Sequence, residues 1–364
     1  MKKIKNILLV MLAVGSVSCS DDNDCLVEKD KYVYDIPQTH VDDAVIGVYY
    51  TNITSASSMW TKGHSGTSVL GEYLSTDPEV IKQQLKWCDE AGVNFLIFTA
   101  DEFTKSIPVL INNFTSARNE IGADVGFVID YNVSHLKCSA TATLTSDDKM
   151  AALISDFTDY LAQFMAMDSY YRLPDGSPVV LMTKINQSTD LWPAFNFAQA
   201  LPPLREAMAR AGEENMYIIG EVTTGWCVPT NYDDYIWSGF DGVTPYDWST
   251  NMYDRNLYFH SFMDVNWQRW NEIFAPYGID FVPCIHPSYN DRANSTSSYK
   301  YIFGQDGDTG HFINSCNVAK RNVGSQKVIL INSWNNFLKG WAMEPTEENH
   351  GNFIKECYQQ FRVI

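Results

Sequence analysis

Positive charge is in short supply in this chain. Its 26 Lys and Arg face 44 Asp and Glu, giving a formal net charge of -18 and a sequence pI near 4.7. A surface of that sign repels a phosphate backbone, so nucleic acid is excluded as a partner while neutral and cationic ligands stay open. Paired cysteines at metal-binding spacing are missing too. The eight Cys (Cys19, Cys25, Cys88, Cys138, Cys227, Cys284, Cys316 and Cys357) show no C-x-x-C and no neighbouring His pair, which argues against zinc. There is no G-x-S-x-G elbow, G-x-x-x-x-G-K-[ST] loop, H-E-x-x-H or dinucleotide fingerprint, removing the corresponding hydrolase, nucleotide, metalloprotease and Rossmann chemistries. Asp291, Asp306 and Asp308 fall on expected loops without a recognised calcium spacing and read as solvated acids. No metal or cofactor is expected.

What is present in excess is aromatic. Phe, Trp and Tyr make up 13% of the residues, with 10 Trp and 20 Tyr. Flat apolar faces suit the C–H faces of sugars, although packing in an aromatic-rich core uses the same residues. With 45% hydrophobic residues the chain can build a sizeable core.

The N-terminus carries a local signal. Met1-Lys-Lys-Ile-Lys5 is a positive region, residues 7–14 form an apolar run too short to span a bilayer, and Gly15-Ser-Val-Ser-Cys19 is a small-residue site ending in cysteine. This resembles a bacterial lipoprotein signal over residues 1–19, with Cys19 lipidated; a plain secretory signal is the second reading. The acidic run Ser20-Asp-Asp-Asn-Asp24 resembles the surface-export tag of Bacteroidetes lipoproteins, and residues 20–40 read as an acidic flexible tether. The expected location is the outer membrane through a lipid anchor, facing outward, with a periplasmic orientation as the alternative. If Cys19 is consumed by lipid, the seven cysteines left cannot all pair. Cys88 and Cys357 read as small buried hydrophobes on helix faces, and an oxidising exterior permits one or two bridges.

From residue 41 to 364 the pattern alternates between short apolar runs and amphipathic stretches. Strands are expected at residues 46–52, 94–98, 125–130, 178–182, 217–221, 242–246, 280–285 and 328–332. Helices are expected at 75–92, 109–121, 147–165, 203–212, 257–274, 310–323 and 353–361. The first of these shows Asp77 before Pro78 and a stop at Gly92, the marks of a capped helix. Eight strands, each followed by a helix or a long loop, predict an α/β fold of the (β/α)8 TIM barrel type in a single domain.

Such a barrel gathers its strand ends at one mouth, where ligands bind. Tyr50, Asp101, Glu102, Asp130, Lys184, Glu221, Asp247, His286, Asn332 and Asn335 stand at those ends. Carboxylates dominate, and glycosidic cleavage needs one protonated acid and one charged carboxylate with separated pKa values. Asp130, Glu221 and Asp247 are the candidate catalytic acids; the plainer reading of each is an acid bonded to loop amides or paired with Lys184.

The stretch from Val328 to Pro345 turns from an apolar strand into Asn332-Ser-Trp-Asn335, then Gly340 and Glu344-Pro345. With Gly47-Val-Tyr-Tyr50 and Gly71-Glu-Tyr73 through Val80, it resembles the glycoside hydrolase family 99-like group, including WbsX-like proteins, from about residue 46 to 361. The resemblance implies a barrel acting on glycans and, in the hydrolases proper, endo-cleavage of α-mannosidic linkages by two glutamates of an N-x-W-N-E-W-x-E-G signature. Here Asn336 and Lys339 stand where those glutamates belong, and Phe337 replaces the intervening Trp. An amide cannot act as a base. The matched positions Tyr50, Glu72, Asn335 and Glu344 are then assigned to binding or loop architecture. Two readings follow: a surface glycosidase using Asp130, Glu221 and Asp247, or an inactive glycan-binding barrel. In the second, Trp248, Trp334, Trp341 and Tyr289 are the stacking platforms and Asn335, Asn336 and Lys339 the hydrogen-bonding groups; Tyr246 and His286 are further candidate sugar contacts.

Overall fold

The computed structural model describes residues 34–100, 106–183, 185, 196–222, 239–246, 259–294 and 302–363. Six apolar stretches run in chain order as β1 (Val45–Tyr50), β2 (Phe95–Ala100), β3 (Gly126–Asn132), β4 (Val179–Thr183), β5 (Tyr217–Val222) and β6 (Gly242–Pro245). Two short strands follow, β7 (Asp280–Phe281) and β8 (Cys284–Ile285), and then β9 (Val328–Ile331). They pair in parallel in the order β7-β6-β5-β4-β3-β2-β1-β9-β8.

The two ends of that order are halves of one extended segment. Pro283 interrupts it, because proline has no N–H to give to a ladder. Val282 still donates to the Val243 carbonyl at 2.9 Å on one side, and Leu330 donates to the Pro283 carbonyl at 2.8 Å on the other. The sheet therefore closes on itself as eight parallel strands, the (β/α)8 TIM barrel that the alternation predicts. Its interior is filled by side chains: the Phe95 ring lies where a Cβ on Gly47 would be, 2.3 Å from its Cε2, so only glycine fits there.

Around the strands lie α1 (Pro78–Ala91), α2 (Ser106–Ile121), α3 (Asp147–Ser155), α4 (Ala162–Met165), α5 (Phe197–Arg210), α6 (Phe259–Phe274), α7 (Gly310–Asn322) and α8 (Asn352–Arg362). The α1 start is built as its sequence dictates, with Asp77 accepting from the Glu79 N–H, Pro78 in the first turn and Gly92 left-handed at φ 70° after the last turn. Such a cap contributes about 1 kcal/mol. A π-helical turn, Asp156–Leu161, joins α3 to α4. No helix among the described residues is long and apolar enough to cross a membrane. Cys88 and Cys357 are buried, and Cys88, Cys138, Cys284, Cys316 and Cys357 are all free thiols.

Beyond β9 the chain forms a small hairpin, β10 (Asn335–Asn336) with β11 (Trp341–Ala342). It packs on the long loop after β1 through a second core of Ile53, Met59, Trp60, Tyr73, Phe337 and Ala342. Trp60 Nε1 donates to the Tyr73 carbonyl at 2.7 Å. Both loops bordering the mouth are thus held by their own apolar contacts.

Candidate functional site at the barrel mouth

Strand pairing decides which side chains enter the barrel. Tyr49 pairs with Ile97 and Ile97 with Val128, while Thr99 pairs with Asp130. Asp130 pairs with Leu181 and Leu181 with Ile219. Neighbours in register share a face and alternate residues return to it. Tyr49, Thr99, Asp130, Thr183 and Glu221 therefore point into the barrel from five successive strands, at their C-terminal ends.

There they enclose a cavity of about 330 Å³. Asn52 and Asn132 extend its wall from the ends of β1 and β3; Tyr246 after β6, Asn332 and Ser333 after β9, and Asn336 on β10 complete it. Asp130 is 2% exposed and Glu221 1%. Thr99 Oγ1 donates to Asp130 Oδ2 at 3.0 Å, which fixes that carboxylate against β2. Their strands are separated by β4, so the backbones stand about two strand spacings apart, roughly 10 Å. Among the described residues, no three His, Cys, Asp or Glu side chains gather to hold a metal ion.

Of the residues singled out in the sequence, Tyr50, Asp130, Glu221, Tyr246, Asn332 and Asn336 line this cavity. The Tyr50 side chain itself faces away from the barrel interior, toward α1, where its hydroxyl donates to Gln84 Oε1 at 2.9 Å. Cys19, Asp101, Glu102, Lys184, Asp247 and Trp248 lie outside the described residues.

Several expected contacts are instead part of the wall's support. Trp334, Trp341 and Tyr289 are 0%, 2% and 0% exposed and cannot offer a face to a ligand. Trp341 packs edge-on against His286 at 4.7 Å. His286 is fully buried and its Nε2 donates to the Tyr246 carbonyl at 3.1 Å. Burial pushes its pKa down to about 3, so it is a neutral core histidine and not a sugar contact. Asn335 is spent on β1: its Oδ1 accepts from the Thr51 N–H at 2.8 Å and its Nδ2 bonds Tyr73 Oη at 3.1 Å. Lys339 lies outside the cavity, its ammonium 5.8 Å from the Trp341 ring centre. Glu72 is solvent-exposed and away from the cavity.

Glu344 is also removed from the mouth. It is 0% exposed and accepts from Ser68 Oγ at 2.5 Å, Tyr73 Oη at 2.7 Å and Gln84 Nε2 at 2.8 Å. Burial outweighs these donors and raises its pKa to about 7. Through Gln84 it holds Tyr50, and through Tyr73 it holds Asn335, so its role is to brace two cavity walls.

The sequence reading missed Tyr49, Asn52, Thr99, Asn132 and Thr183. Thr and Asn at strand ends carry no compositional signal. For Tyr49 the difficulty is parity: in Tyr49-Tyr50 only the pairing register tells which ring enters the barrel.

No family model matches the sequence, and no curated protein matches it. Solved structures do resemble it. A glycoside hydrolase-like protein superposes with a TM-score of 0.77 at 21% identity, covering 92% of this chain and 99% of that one. A GH99 endo-α-mannosidase from Bacteroides thetaiotaomicron gives 0.60 at 18% identity over 87% and 97%, and a second structure of that enzyme gives 0.61 at 17% over the same shares. Identities this low establish shared architecture: the chain has the TIM-barrel fold of these glycoside hydrolase-like proteins over nearly their whole length.

Proposed function

We propose that this protein is a cell-surface glycan-processing barrel that cleaves O-glycosidic bonds of a polysaccharide in the mouth cavity, using Asp130 and Glu221 with Asp247 as a further candidate. The observation that carries this is the convergence of Asp130 and Glu221, two buried carboxylates from different strands, on one cavity among hydroxyl and amide side chains. Two carboxylates on opposite sides of a glycosidic bond can act as acid and as base or nucleophile. The structural likeness to glycoside hydrolases supports the substrate class, and an α-mannoside polymer is the first candidate because the similar Bacteroides enzyme is an endo-α-mannosidase.

Incubation with mannans and host glycans tests this by the appearance of new reducing ends. Release that falls at least a hundredfold in Asp130→Asn and in Glu221→Gln supports the assignment. One observation favours an inactive, glycan-binding alternative: Asn336, an amide, lines the cavity at the position where the resemblance sets a catalytic glutamate, and Lys339 turns to Trp341. Calorimetric binding of a glycan without product selects that alternative. The location is likewise a proposal, an outer-membrane lipoprotein anchored at Cys19 and facing outward, supported by the N-terminal pattern. Loss of lipid labelling in Cys19→Ala, with protease accessibility on intact cells, tests both anchor and orientation.

A further inference from the structure

One polar group in the cavity wall, the Tyr49 hydroxyl, stands apart from the rest. Among the described residues, nothing hydrogen-bonds to Tyr49 Oη, although the residue is only 4% exposed and lines the cavity. Backbone and ring of Tyr49 are each held in place. Its carbonyl accepts from the Trp334 N–H at 2.7 Å, and its ring packs edge-on against Tyr246 with centroids 4.9 Å apart. A buried hydroxyl left without a partner costs about 1–3 kcal/mol, and the residue that carries this one lines a space large enough for a sugar ring. Burial first, and then the fields of Glu221 and Asp130, push its ionisation well above the usual range. The phenol is therefore an O–H donor at every working pH.

We propose that Tyr49 Oη is a ligand-binding donor that selects a neutral, hydroxyl-bearing sugar: it donates to a ring hydroxyl whose own proton goes to Asp130 or Glu221. This rests on the glycan reading of the cavity and deepens it. A hydroxyl both accepts and donates, so it satisfies a phenol and a carboxylate together. The carboxylate of a uronate, or a sulfate group, brings acceptors only, and brings negative charge toward two carboxylates. No Lys, Arg or His lines the cavity among the described residues to offset that repulsion.

The test is Tyr49→Phe, compared with wild type by melting temperature and by calorimetry. The probes are neutral oligosaccharides from mannan, xylan, glucan and galactan, with uronic-acid oligosaccharides from alginate and pectin. Because no hydrogen bond of the hydroxyl among the described residues is lost, Tyr49→Phe should melt within about 2 °C of wild type or higher. Its affinity for the neutral oligosaccharide that wild type binds should fall about tenfold. Equal affinity in both proteins overturns the proposal and leaves the glycan reading standing. A melting temperature lowered by more than that margin makes the hydroxyl structural and also overturns it. Wild-type binding confined to the acidic probes contradicts the selectivity, and binding of no probe removes the glycan reading and the proposal together.

Discussion

A tryptophan beside a cavity either stacks on the ligand or braces the wall, and stability separates the two roles. Trp334 sits in the wall: it is 0% exposed, its N–H is donated to Tyr49 and its carbonyl accepts from Glu344 N–H at 2.9 Å. Trp334→Ala should therefore cost about 3–5 kcal/mol in urea unfolding, the range for emptying a buried aromatic site. A loss below about 1 kcal/mol with abolished ligand binding would make it a contact after all. Tyr50→Phe removes the bond to Gln84 and should cost about 1 kcal/mol. At this scale the sequence was informative about carboxylates and poor about aromatics. Asp130 and Glu221 stand out because an acid after an apolar run demands a reason. A Trp or Tyr after such a run does not, since core and binding surface use the same side chains.

At the scale of elements, Glu344 ties the β1 loop, α1 and the β10–β11 hairpin together, and its titration reports on that joint. Its folded pKa, about 7, lies above the ordinary 4.5, so the folded protein holds this proton where the unfolded chain has lost it. Its contribution is fully favourable below pH 4.5 and declines as pH rises to 7, by about 3 kcal/mol in all. His260 and His286, whose pKa values burial lowers to about 4 and about 3, act in the opposite direction, with stability lost as pH falls below 6.5. Those histidines are common to wild type and Glu344→Gln and cancel in the difference. Glu344→Gln should gain about 3 kcal/mol on wild type between pH 4.5 and 8; parallel stability curves would contradict the buried, raised carboxyl.

The elements themselves were largely legible, because strands buried on both faces read as continuous apolar runs and helices keep a 3.6-residue period. Three departures have local causes. The expected strand at 280–285 is split by Pro283 into β7 and β8. Helix α5 begins at Phe197 under an Asn196 cap and carries Pro202 and Pro203 inside it, where prolines alone suggest a start. The β10–β11 hairpin is too short, at two residues a strand, for any periodicity to show.

For the whole molecule the decisive feature is closure. The segment holding β7 and β8 closes the sheet, and α8 fastens the barrel floor: Arg362 Nη1 donates to the Ala44 carbonyl at 2.7 Å, and Nη2 to the Gly92 carbonyl at 2.5 Å and Asn94 Oδ1 at 2.6 Å. Arg362→Ala should cost about 2 kcal/mol or more by leaving those carbonyls unpaired, without changing ligand affinity at the opposite end. Closure also makes the site. Asp130 and Glu221 are remote in sequence and face one cavity because every strand delivers its C-terminal end to one mouth. A crystal structure of Glu221→Gln grown with an oligosaccharide that the wild type binds or cleaves tests this account most directly. The account predicts a glycosidic linkage in the cavity, with Asp130 on one side and position 221 on the other. A sugar bound elsewhere, with the cavity empty, would contradict it.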